Sequence, residues 1–95
     1  MNDPSMLILA SLADGDKHGY AMMEDILLFA GVSLGPGTLY GAIPRLEERG
    51  WIRPTRTKDR RQPYSLTAAG RRHLSEQLES LSRFVSTGRL RLEQA

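Results

Sequence analysis

The sequence predicts a mainly α-helical domain with one small β-hairpin, an α+β class. Two observations carry this. Apolar residues recur at helical spacing in three segments of the first fifty residues, and again as a seam near the C-terminus. After Gly50 the period changes to two short strand-like runs, each marked by a proline.

Taken in order, Asn2, Asp3 and Pro4 read as a short polar lead. Met6 to Leu12 then places apolar residues on every side of a helix, which needs cover all round. One side can rest on its own domain, and a second subunit is the expected cover for the other, with Leu7 at that interface. Asp14-Gly15-Asp16 supplies turn chemistry. His18-Gly19-Tyr20 opens a second helix to about Ala30, with Tyr20, Met23, Ile26, Leu27 and Ala30 as its expected buried stripe and Glu24 and Asp25 on the wet side. Gly31 stops it, and Val32-Ser33-Leu34 is too short for more than a single bridge or a turn.

The third helix has the best-marked ends. Gly35 fits the N-cap, Pro36 the first helical position and Gly50 the left-handed stop. Leu39, Ile43 and Leu46 fall at i, i+4 and i+7 and face the core. The other side carries Thr38, Tyr40, Gly41, Pro44 and Arg45, with a small, hydroxylic first turn free of acidic residues. Such a turn can approach a phosphate backbone closely. Pro44 costs the helix one backbone bond, to the Tyr40 carbonyl, and a kink near Tyr40 is an open reading.

Trp51 to Arg56 and Gln62 to Leu66 read as the two strands of a hairpin, held by Pro54 and Pro63 to edge or bulged positions. Thr57 to Arg61 forms its polar tip. Thr67 caps a last helix, along which Leu74, Leu78, Leu81 and Val85 make a heptad-like seam on an otherwise polar surface. Gly88 weakens that helix, so the tail beyond it is free to fray. A narrow seam on a terminal helix has no obvious partner within so small a domain. A second copy of the chain is the simplest one, and folding back over the first three helices is the competing reading.

Charge sharpens this picture. Residues 1–50 carry three basic against seven acidic side chains, and residues 51–95 ten against four. Arg53, Arg56, Lys58, Arg60 and Arg61 crowd into nine residues, a concentration that suggests a polyanionic partner. With 95 residues the chain fits one domain of modest core. The absence of cysteine rules out disulfides and thiolate metal sites. No run reaches the roughly 20 apolar residues of a membrane span and no signal peptide is apparent, so the cytoplasm is the expected location.

Three helices, a hairpin and a fourth helix, with the basic character on the third helix and the hairpin, make a winged helix-turn-helix. The ordered pieces Leu12-Ala13-Asp14-Gly15, His18-Gly19-Tyr20, Gly37-Thr38-Leu39-Tyr40, Arg45-Leu46-Glu47, Gly50-Trp51-Ile52 and Tyr64-Ser65-Leu66-Thr67-Ala68-Ala69-Gly70 resemble the PadR family of bacterial transcriptional regulators. The resemblance covers about residues 6–75, and the length is similar to the family's short-tailed branch. It implies a winged helix-turn-helix in residues 1–66 and a C-terminal dimerisation helix in residues 67–95. It further implies a homodimer that binds double-stranded DNA at a near-palindromic operator and usually represses. By the same resemblance, Pro36 to Arg49 would be the recognition helix. Tyr40 would touch phosphate, with Thr38 on the same exposed turn, and Lys58, Arg60 and Arg61 of the wing would reach phosphate or the adjacent minor groove. The helical face places Thr38, Gly41 and Arg45 nearest the bases.

No catalytic constellation stands out, and no cofactor is expected. His18 and His73 are far apart; His18 reads as a helix-start residue bonded locally and His73 as a solvated side chain. Metal sensing would call for cysteines or clustered histidines. Met6, Met22 and Met23 are candidates for an apolar pocket at the dimer interface, open to a small apolar or aromatic effector, against plain core filling. A winged-helix module for protein contact, its basic wing meeting an acidic partner, is the alternative to DNA binding.

Overall fold

The computed structural model describes residues 3–95. Its elements are α1 (Pro4–Leu12), β1 (Lys17–His18), α2 (Gly19–Ala30), α3 (Pro36–Glu48), β2 (Ile52–Pro54), β3 (Pro63–Leu66) and α4 (Ala68–Gln94). Of the expected polar lead, Asn2 lies outside the described residues, and Asp3 and Pro4 belong to the start of α1. Asp3 is the N-cap of α1, its carboxylate accepting from the Ser5 amide at 2.9 Å, and Pro4 occupies the first turn. Proline is at home there because its missing N–H has no partner to lose.

The hairpin becomes a three-stranded antiparallel sheet in the order β1-β3-β2. Lys17 and His18 pair with Tyr64 and Pro63, while Ile52, Arg53 and Pro54 pair with Leu66, Ser65 and Tyr64. β3 is therefore central, whereas the prolines were expected to hold both strands to edge or bulged positions. Pro63 is tolerated because it begins the strand. Its carbonyl still accepts from the Thr55 amide at 3.0 Å and from the Gln62 side chain at 2.7 Å, which closes the neck of the wing.

The core draws Leu7, Ile8, Leu9 and Leu12 from α1, Met22 and Ile26 from α2, and Leu39, Ala42, Ile43 and Leu46 from α3. Ile52 and Leu74 close it from the sheet and α4. α1 is covered by α2, α3, α4 and β3 of its own chain. Leu7 and Leu74, expected at a subunit interface, are both buried in this core and have little surface left for a partner. The stripe expected on α2 also shifts. Ile26 is buried as expected and Met23 half-buried, but Tyr20, Leu27 and Ala30 are exposed, and Met22 and Gly19 take their places inside. Ser11, fully buried, is satisfied by donating to the Asp25 carboxylate at 2.7 Å. Near the α1–β1 turn the Lys17 ammonium donates to Asp14 and holds that carboxyl below its usual range.

Helix α3 runs through Pro44 as one element, with Gly50 at φ 76° beyond its end. The start of α4 is clamped to the wing. Thr67 accepts from the Gly70 amide at 3.0 Å, donates through its hydroxyl to the Gly50 carbonyl at 2.6 Å, and bonds through its amide to the Trp51 carbonyl. Gly70 lies against that same Trp51 carbonyl: a β-carbon there would sit 2.1 Å from its oxygen. For Gly70→Ala the helix-propensity gain of about 1 kcal/mol is outweighed by the overpacking cost of about 1–3 kcal/mol. The expected result is a fall in Tm of roughly 5–10 °C by thermal unfolding; a rise in Tm would contradict this seating of α4.

Beyond Leu74, α4 leaves the body. It continues unbroken through Gly88 to Gln94, and from Ser75 onward only Leu81 is even half-buried. A helix of 27 residues is about 40 Å long and accounts for the 57 Å long axis of the molecule. Leu78, Phe84, Val85, Leu90 and Leu92 are exposed along it. The seam does not fold back over the first three helices.

Candidate nucleic-acid interface

The wing and the helix-turn-helix meet at a concavity lined by His18, Gly19, Tyr20, Tyr40, Arg60, Arg61, Gln62 and Tyr64. It forms because β1 ends where α2 begins, so His18 pairs with the wing strand and caps the helix at once. Its Nδ1 accepts from the Ala21 amide at 3.3 Å. Across the concavity the Arg61 guanidinium reaches to 3.4 Å from His18 Nε2. No carboxylate lines this hollow, and the first turns of both α2 and α3 carry no acidic residue. Its electrostatic character suits an anion.

Tyr40 is half-exposed, and its phenol lies over Gly19 at the start of α2. A β-carbon on Gly19 would come within 2.2 Å of the hydroxyl oxygen. Gly19→Ala should therefore displace the Tyr40 ring, which can swing outward, while leaving the fold in place. DNA affinity should fall about tenfold, as for loss of a hydrogen bond to a charged group, with Tm within a few degrees. A fold that collapses instead would make Gly19 a packing residue only. Tyr64, half-buried behind Tyr40, has its phenol raised above the ordinary value by burial, with the Glu47 carboxylate and Tyr40 adding to the effect. It remains a neutral donor at physiological pH.

The remaining sequence-predicted residues are all exposed but not all together. Thr38, Gly41 and Arg45 share one stripe of α3, at i, i+3 and i+7, on the flank away from Tyr40. Arg45 bends back to donate to the Gly41 carbonyl at 3.1 Å and lines a separate hollow with Arg49, Trp51 and His73. Lys58 lies at the wing tip with Thr55, Arg56, Thr57 and Gln62. Arg60, Arg61 and Tyr40 are the ones brought to a single place.

Trp51 packs against the core at the base of the wing, and His73 is not simply solvated. It stacks on Trp51, with ring centroids 3.7 Å apart and 11° between planes, while the Arg49 guanidinium lies 5.2 Å from the Trp51 ring centre. Nothing in the spacing of residues 51 and 73 announces this contact. The methionine pocket is not supported either. Met22 is fully buried and Met6 and Met23 pack against the core, so all three fill it. Among the described residues, no group of three or more His, Asp or Glu could hold a metal ion, and no helix is long and apolar enough to cross a membrane.

A helix-turn-helix of α2 and α3 flanked by a basic two-stranded wing is a winged-helix fold. The model of the PadR-like family of transcriptional regulators matches residues 8–76, and the chain belongs to that family. Its fold is similar to that of a PadR family transcription regulator from Clostridium difficile R20291, with a TM-score of 0.78 at 25% identity over 88% of this chain and 91% of that one. F93 from STIV, a winged-helix DNA-binding protein, shares the fold at a TM-score of 0.80 and 22% identity, covering 90% and 94% of the two chains. The chain is also 48% identical over 82 residues to an uncharacterized 37.1 kDa protein in transposon TN4556 of Streptomyces fradiae. That match covers 86% of this chain and 24% of the relative, so the chain spans about a quarter of that protein's length.

Proposed function

We propose that this transcriptional regulator acts as a repressor, binding a near-palindromic operator as a homodimer in the cytoplasm. Residues 1–66 supply the DNA-binding unit and residues 67–95 the dimerisation helix. The observation that carries the reading is the convergence of Tyr40, Arg60 and Arg61 on one acid-free hollow between the wing and the helix-turn-helix. There they would hold backbone phosphate, while Thr38, Gly41 and Arg45 on the other flank of α3 would meet base edges. Lys58 extends the phosphate contact beyond the hollow. The exposed seam of α4 supports the dimer, through Leu78, Leu81 and Val85 rather than Leu7 and Leu74. Two recognition helices would then lie about one DNA turn, near 34 Å, apart.

The test is recovery of bound fragments from genomic DNA, followed by titration of the best fragment against random duplex. A specificity ratio of about a thousand or more is expected. Weak binding that ignores sequence would shift the reading to a protein-contact module with a basic wing.

A further inference from the structure

His18 has two N–H neighbours that each call for an acceptor nitrogen, and a neutral ring has only one. Nδ1 accepts from the Ala21 amide at 3.3 Å, which caps α2. Nε2 stands 3.4 Å from Nη1 of Arg61, 43 residues further along the chain. A neutral imidazole carries one proton. While Nδ1 accepts, that proton must be on Nε2, and the guanidinium opposite it is a donor only. Two N–H donors from separate elements therefore face each other and cannot satisfy one another. The reverse tautomer merely moves the conflict, setting Nδ1–H against the Ala21 amide.

What resolves the conflict is an acceptor oxygen shared by both donors. None of the side chains lining the hollow supplies a carboxylate. The Tyr40 hydroxyl, seated on Gly19, lies beside the same place. We propose that His18 is itself a DNA-contacting residue, its Nε2–H and the Arg61 guanidinium gripping one backbone phosphate. The cap on α2 fixes the tautomer that makes this contact, and the shared phosphate ties the wing to the helix-turn-helix. The inference rests on the DNA-binding reading and goes beyond it by giving His18 a role in affinity separate from its cap.

Serine and aspartate are both good N-caps, so His18→Ser and His18→Asp separate the two roles. Each is compared with wild type, Arg61→Ala and the His18→Ser/Arg61→Ala double variant by thermal unfolding and by titration of a labelled mixed-sequence duplex. Tm should be held by both His18 variants. Affinity should fall about tenfold for His18→Ser, as for a lost hydrogen bond to a charged group. It should fall further for His18→Asp, whose carboxylate pairs with Arg61 and repels phosphate. In the Arg61→Ala background, His18→Ser should cost less than it does alone, because the two residues share one partner. Wild-type affinity in both His18 variants, or losses that follow an equal fall in Tm in both, would reduce His18 to a cap and overturn the proposal. Failure of the wild-type protein to bind any duplex is a different result, since it removes the DNA-binding reading itself.

Discussion

Replacing Leu78, Leu81 and Val85 together by glutamine is expected to give a folded monomer that has lost at least about a hundredfold in operator affinity. The fold should survive because the core closes with Leu74, and from Ser75 onward no residue of α4 is buried in its own chain, Leu81 alone being half-buried. Glutamine is a good helix former, so the change removes apolar surface without attacking the helix. The affinity loss follows from linkage: two half-sites bound by joined subunits are held far more tightly than by independent ones. Sedimentation gives the oligomeric state and circular dichroism the helix content. A variant that stays dimeric would remove these three residues from the interface.

The second large effect is expected for Arg60→Ala with Arg61→Ala. Both side chains are exposed and neither has a carboxylate partner within salt-bridge distance among the described residues, so the fold should be indifferent to their loss. If each neutralises one phosphate, a dimer loses four such contacts. The slope of log affinity against log salt should then flatten by about 3.6, and affinity at low salt should drop at least about a hundredfold. Because these contacts carry no sequence information, the loss should be similar for operator and random duplex. An unchanged slope would take the wing out of the interface.

The ends of the elements were legible in the residues because they depend on local chemistry. Gly35 and Pro36 open α3, Gly31 and Gly50 take positive φ beyond the helices they end, and Thr67 caps α4. The core face of α3 was equally clear, since its polar and apolar residues alternate at helical period. α2 was not. In Ala21-Met22-Met23 and Ile26-Leu27-Leu28-Phe29-Ala30, apolar residues occur on too many sides for period to choose a face, and Leu28 ends 86% exposed. β1 has only two residues, too few to carry any alternation, and is a strand only because Tyr64 and Pro63 lie beside it.

The candidate site divides along the same line. That Thr38, Tyr40, Arg45, Lys58, Arg60 and Arg61 would be exposed followed from helical phase and polarity. Which of them converge did not, because the hollow depends on contacts between residues far apart in sequence. His18 with Arg61 and Gly19 with Tyr40 are pairs of that kind. The motif His18-Gly19-Tyr20 was visible, but nothing local tells a helix start from a seat for two distant side chains. Leu7 and Leu74 read as partner-facing because a narrow seam and an all-apolar helix look unsatisfied until the fold packs both residues into one core.

The most direct test of the central claim is to determine the mass of the complex with the selected operator, then insert half a helical turn between its half-sites. Two chains per operator are expected, with affinity falling to that of a single half-site once the second half-site is rotated to the far face of the duplex. One chain per fragment, or affinity indifferent to the insertion, would contradict a dimer that reads a palindrome.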